Sequence, residues 1–164
     1  GGFRAMPLSN FKVQTTRPHM LATRCHMLAM YVILENHMSM LCDYPEAYEG
    51  KAGFDFIRQI PTVWDQTVVP GAATGEWVSI ARRKGNDWYI GTITNSTARQ
   101  VSISLNFLSV GNYTATIYKD GEDAVNNPNI LIKETKIVSS SDKLIFDLPA
   151  GGGEVIRLQI IEKI

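Results

Sequence analysis

Val101-Ser102-Ile103-Ser104-Leu105-Asn106-Phe107 alternates apolar and polar side chains with a period of two. That period belongs to a strand with one face in a core and the other in solvent. Working outward, segments rich in Val, Ile, Thr, Tyr and Trp recur from Glu76 onwards, separated by turn residues. Strands are expected near 63–69, 76–83, 87–95, 99–108, 113–119, 130–138, 143–148 and 154–161. Lys84-Gly85-Asn86 supplies a short hairpin connection, Asp120-Gly121 a turn, and Gly151-Gly152-Gly153 a flexible one. Gly121 to Asn129 is a solvated loop. Eight short strands with no helix between them predict a mainly β fold, an eight-stranded antiparallel β-sandwich over 61–164.

Residues 1–60 follow another rule. All six Met, all three His and both Cys precede residue 43, whereas Trp64, Trp77 and Trp88 all follow residue 60. Leu21, Cys25, Leu28 and Val32 recur at helical spacing, and the spacing predicts a helix over 18–35 with Thr16 as its cap and Pro18 in its first turn. Ala22, Ala29, Ile33 and Met20, Met27 and Met30 make it apolar nearly all round, so burial on several sides is expected. Asn36, His37 and Ser39 mark a break, Tyr44-Pro45 an end. A shorter amphipathic helix then places Ala52, Phe56 and Ile60 on one side.

Charge is balanced, with 16 basic and 16 acidic side chains. A neutral surface argues against nucleic acid or an anionic membrane as the main partner. No apolar run approaches the ~20 residues that span a bilayer. Cys25 and Cys42 are too few for a disulfide framework, and along a helix rising ~1.5 Å per residue they stand roughly 25 Å apart. Both are expected to be buried free thiols. The opening Gly1-Gly2-Phe3 is expected to be a cut through a longer protein.

Little in the chain carries chemistry. His19 and His26, seven residues apart, would share a helical face, but metal pairs on helices prefer three or four. Glu46 and Glu49 lack any neighbour that would raise one pKa and not the other. Trp64, Trp77 and Trp88 offer sugar-stacking candidates, against the commoner use of strand Trp as core. Arg82-Arg83-Lys84 is expected to be solvated hairpin charge. No nucleophile elbow, phosphate loop, dinucleotide fingerprint or metal framework is present, so no catalytic residue and no cofactor or metal site is assigned.

A family resemblance accounts for this pattern. Pro61-Thr62-Val63-Trp64-Asp65-Gln66-Thr67, Gly75-Glu76, Ala81-Arg82-Arg83-Lys84-Gly85, Trp88-Tyr89-Ile90-Gly91, Thr94-Asn95 and Tyr118-Lys119-Asp120-Gly121 resemble the C-terminal region of glycoside hydrolase family 97. Thr23 to Val32, followed by Met40-Leu41-Cys42-Asp43, resembles the last helix of its catalytic barrel, and Gly1-Gly2-Phe3 the segment after the final barrel strand. Met27 in place of a usual Gln, and Asn36-His37 where Ser-Pro is common, depart from the pattern.

The resemblance implies a parent with an N-terminal β-supersandwich, a (β/α)8 barrel and a C-terminal β-sandwich. Residues 1–60 would be two or three helices left over from that barrel, and 61–164 the sandwich. It implies a calcium-dependent, periplasmic or secreted enzyme acting on α-linked glucosides or galactosides, by inversion or retention, through paired carboxylates upstream of this region. Barrel active faces are built by the loops after the strands, which places Phe3 and Arg4 beside substrate. The chain alone would then lack the catalytic carboxylates and support the rest of the parent glycosidase. The alternatives are a free-standing carbohydrate-binding module and a structural module recruiting a partner through its helix. A helix without its barrel predicts self-association through residues 20–60, or docking of the helix onto the sandwich.

Overall fold

The computed structural model describes residues 3–161. Gly1 and Gly2, and the last three residues of the 61–164 sandwich, lie outside the described residues. Two helices, α1 (Arg24–Ile33) and α2 (Phe54–Ile57), precede eight strands. These are β1 (Gln66–Ala73), β2 (Trp77–Lys84), β3 (Asp87–Thr94), β4 (Arg99–Ser104), β5 (Asn112–Asp120), β6 (Leu131–Ser139), β7 (Lys143–Leu148) and β8 (Gly153–Ile160). A broad sheet runs β1-β2-β3-β8-β5-β6, and a narrow one pairs β4 with β7. All strand pairs are antiparallel.

Alternation along the central strands divides the interior into two cores. Trp88 and Ile90 of β3, Ala115 and Ile117 of β5, and Ile156 and Leu158 of β8 face the narrow sheet, meeting Val101, Ile103, Leu144 and Phe146. The intervening Tyr89, Tyr118 and Val155 face outward and meet Phe3, Leu28, Val32, Tyr48 and Phe56. The stretch 101–107 behaves as its pattern dictates: Val101, Ile103 and Leu105 are buried and Ser102 is exposed, although β4 ends at Ser104. Gly85, at φ 58°, turns β2 into β3 in a conformation that carries no penalty without a Cβ.

The narrow sheet leaves part of the edge strand β6 uncovered. Along β6 the inward-facing series continues from buried Val138 through Lys136 and Glu134 to Ile132, beyond the reach of the narrow sheet.

The N-terminal region departs from its expected form. The helix begins at Arg24, with Thr23 as cap, and not at Pro18. Residues 17–22 instead run irregularly to a parallel bridge between Met20 and Ala5, so His19 and His26 share no helical face. The bridge holds Met20 in extended geometry, and Thr23 caps a helix it can reach. The helix is buried along one stripe only, formed by Arg24, Cys25, Leu28, Ala29 and Val32. Cys42 lies in an exposed loop, so only Cys25 is a buried thiol. The second helix shrinks to a 3-10 turn at Pro45–Ala47 and the single turn of α2.

Of the two outcomes expected for α1, the structure contains docking onto the sandwich. Gly91 of β3 makes this possible, because a Cβ there would lie 2.8 Å from the Ala29 carbonyl oxygen and 2.9 Å from Val32 Cβ. Gly153 of β8 is similarly close to His26, whose Cα would be 2.6 Å away. Replacing Gly91 with Ala is therefore expected to cost about 1–3 kcal/mol, the range for overpacking a filled core. Urea unfolding checks it, with Ser102→Ala on the exposed face of β4 expected to change little.

Candidate functional site

Both ends of α1 are tied to the sheet by buried polar groups. At the N-terminus the Thr23 hydroxyl accepts the His26 N–H at 3.1 Å and donates to Asp120 Oδ2 at 2.9 Å. The Gly153 N–H donates to the same oxygen at 2.9 Å. Asp120 closes β5, so the carboxyl reaches from the sheet to the positive end of the helix. Burial pushes it up to about 6, against the pull of the Gly153 and Thr23 hydrogen bonds. At the other end Arg82 of β2, only 5% exposed, donates from Nη2 to the Ile33 carbonyl at 3.1 Å. Arg82 is thus not the solvated hairpin charge expected: α1 lies over its strand and turns the guanidinium into a C-terminal clasp. Arg83 and Lys84 do remain near solvent, paired with Asp65.

A second set of contacts fixes the flanking loops. Asn129 accepts from the Ala5 N–H at 2.9 Å and from Arg24 Nη2 at 3.2 Å, and its amide donates to the Ala5 carbonyl at 2.7 Å. The Arg24 guanidinium lies 4.7 Å from the centre of the Phe3 ring. His26 Nδ1 is 3.2 Å from the Gly152 carbonyl oxygen, and burial lowers its pKa. Burial foremost, with Asp120 beside it, raises the Cys25 thiol well above its ordinary value. A buried thiol of raised pKa is a poor nucleophile.

The candidates chosen from sequence are dispersed. Phe3 is buried and stacks on Tyr48 at 5.4 Å. Arg4 pairs with Asp43 at 2.5 Å. Trp88 is 3% exposed and packs on Phe107 in the intersheet core. Trp77 lies partly buried at the edge of that core, over Gly71. Trp64 is on the opposite face, edge-on to Tyr89 at 5.4 Å. The three indoles form no common platform.

Of several clefts among the described residues, two lie beside uncommitted groups. Leu34, Met38, Met40, Leu41 and Tyr44 are exposed, beside a groove of about 170 Å³ between α1 and the loop that follows it. The other is a cleft of about 610 Å³ where the broad sheet overhangs the narrow one, with Glu154 of β8 in its wall. Glu154 is 5% exposed, and burial pushes its carboxyl up to about 8. Sequence reading missed Asp120, Arg82 and Glu154 as functional groups. For Glu154 a signal existed: it occupies the inward register of Ile156 and Leu158, where a charge is out of place. Among the described residues no group of three or more His, Cys, Asp or Glu side chains is placed to hold a metal ion.

The fold defines a β-sandwich with a helical layer on its broad sheet. A β-arabinopyranosidase shares it at 21% identity and a TM-score of 0.67, over 85% of this chain and 22% of that one. Residues 63–159 match the family model described as "Glycosyl-hydrolase 97 C-terminal, oligomerisation", and the chain belongs to that family. It is 36% identical over 160 residues to the retaining alpha-galactosidase of Bacteroides thetaiotaomicron, covering 97% of this chain and 24% of that protein. A glycoside hydrolase family 97 enzyme from Pseudoalteromonas sp. strain K8, solved with acarbose, superposes with a TM-score of 0.85 at 36% identity, over 99% of this chain and 27% of the other. The chain spans about a quarter of the length of these relatives.

The buried carboxyls fix a pH dependence. Each binds its proton more tightly folded than unfolded, so the stability it contributes is present at low pH and lost as pH rises through the folded pKa. The loss runs from 3.8 to about 6 for Asp120 and from 4.5 to about 8 for Glu154. His26 acts oppositely, adding stability as pH rises from its lowered folded pKa up to 6.5. Between pH 6.5 and 8.5 the chain is expected to lose about 2 kcal/mol, at 1.4 kcal/mol per unit. Chemical denaturation across that range checks it, and Glu154→Gln is expected to flatten the fall.

Proposed function

We propose that the chain is the bracing and assembly part of a family 97 α-glycosidase, holding the wall of a catalytic barrel and carrying no catalytic carboxylate itself. The observation that carries this is the two-sided helical layer. One side of α1 is locked to the sheet through Gly91, Gly153, Asp120 and Arg82, while Leu34, Met38, Met40 and Leu41 stay exposed alongside it. Covering a large apolar side chain is worth about 1.5–3 kcal/mol. The remainder of the parent enzyme is the occupant we assign to that surface. Self-association through residues 20–60 is a second use of the same surface within this proposal; the oligomerisation named in the family's description belongs to residues 63–159.

The relatives named as retaining alpha-galactosidases favour an α-galactoside substrate by retention. Structural relatives solved with acarbose and with panose keep α-glucosides within the proposal. Of the two residues assigned a place beside substrate, Arg4 suits it better, because Phe3 is only 1% exposed. The calcium and the periplasmic or secreted location remain part of the proposal through family resemblance. The described residues of this chain do not fit a calcium site, so that ion would be held elsewhere in the parent.

A chimera tests the reading. This chain would replace the matching region of the Bacteroides thetaiotaomicron enzyme, and hydrolysis of an aryl α-galactoside would be followed. The chimera is expected to retain activity within about tenfold, or about 1.4 kcal/mol in barrier, and the isolated chain to have none. Leu34→Asp in the chimera is expected to lower activity and solubility together. Hydrolysis by the isolated chain, or a folded chimera without activity, would overturn the proposal.

A further inference from the structure

The cleft beside β6 has features that neither bracing nor assembly uses. Its inner wall is the uncovered strip of the broad sheet, where Lys119 stands directly opposite Glu154 on neighbouring strands and Glu134 and Lys136 follow on β6. Lys119 Nζ is committed to Glu134 at 2.8 Å, and Arg99 to Glu76 at 2.5 Å. Glu154 has no hydrogen bond or ion pair from its carboxyl among the described residues. An ionisable group taken out of water ordinarily finds a partner, and one left bare in a cleft wall points to a ligand.

Chemistry narrows what can bind. Even with Glu154 protonated, Asp120, Glu122, Glu134 and Asp147 outnumber Arg99, Lys119 and Lys136, so the cleft favours a cation. No aromatic ring lines it, which removes the stacking surface a sugar would use. The described carboxylates do not converge as metal ligands. Ile132, Ile145, Leu148 and Pro149 provide an apolar wall along the acidic one. An apolar stem with a charged head matches both walls at once.

We propose that the edge cleft is a binding site for an alkylammonium or alkylguanidinium cation, with Glu154 as the carboxylate that receives its head. The apolar wall takes the methylene stem, and Lys136 and Lys119 set the upper limit on the charge the site accepts. A bound cation stabilises ionised Glu154, which in the free chain is held protonated near neutrality by burial and by Glu134 and Asp120, against Lys119 and Lys136. Binding at pH 7 therefore releases a proton from Glu154 to the buffer.

Calorimetric titration of the chain with agmatine tests this, run in two buffers of different ionisation enthalpy. Saturable binding with a buffer-dependent enthalpy is expected, weakened at least about tenfold by Glu154→Gln, since a hydrogen bond to a charged group is lost. Glu154→Gln keeps the shape and neutral state of the side chain, and its unfolding curve at pH 6 checks that it folds. Asp65→Asn, just before β1 and beside the distant β2–β3 hairpin, is expected to bind as the parent does. Capped arginine, N-acetyl-arginine methylamide, separates the sources: binding of both probes indicates the side chain of a partner protein, and binding of agmatine alone a free amine. No heat with either probe, or equal affinity in folded Glu154→Gln, would overturn the proposal.

Discussion

The structure depends on how closely one helix can approach one sheet. The outer face of the broad sheet carries Tyr89, Tyr118 and Val155, and a helix resting on such side chains alone would stand off from the backbone. Gly91 and Gly153 remove the side chain at the two places where α1 crosses β3 and β8. The Ala29 and His26 backbones then sit against the strands. Everything else in the layer follows from that approach. Leu28 and Val32 reach the outer core, Arg82 comes within 3.1 Å of the last turn, and Asp120 comes within 2.9 Å of the cap residue.

The charges at the two ends of α1 make sense only after that approach. A carboxyl near the N-terminus and a guanidinium at the C-terminus both suit the helix dipole. At the surface such contacts would contribute a few tenths to one kcal/mol each, and burial makes them costly unless paired. Asp120 has two donors on one oxygen and none on the other, so its burial is only partly compensated. Its raised pKa expresses that shortfall. The arrangement favours one position of α1 over neighbouring ones more than it adds net stability, because sliding the helix by a turn would strand both charged groups in the core.

The sandwich was legible because strands announce themselves locally. Period two in 101–107, turn residues between β-rich segments, and Gly85 at the hairpin are decided within a few residues of chain. The helical layer was less so, because its form is set from a distance. Leu21 and Pro18 fit a helical pattern, but residues 18–22 are taken by the bridge from Met20 to Ala5, and no local propensity reports that competitor. Arg82 looked solvated for the same reason. It sits in a strand whose outer face is visible in the alternation, but what covers that face lies 49 residues earlier. Asp120 was legible as a turn residue and not as a clasp, since its partners Thr23 and Gly153 come from opposite ends of the chain.

Composition changes at residue 60, but packing does not. Phe3, Leu28, Val32 and Phe56 form one apolar cluster with Tyr89, Tyr118 and Val155, and Asp55 takes a hydrogen bond from Tyr118 and an ion pair from Lys133 across the same line. The outer core exists only when both segments are present. The helical layer and the sandwich are therefore held together by one shared outer core. The free side of the layer, Leu34 to Tyr44, carries the apolar residues the sheet leaves uncovered. That polarity, a glycine-lined grip on one side and an apolar face on the other, lets a sandwich transmit its rigidity to whatever covers the second side. With the helix fixed to the sheet by these contacts, a covering element would meet a surface already set in shape and would lose less entropy on packing.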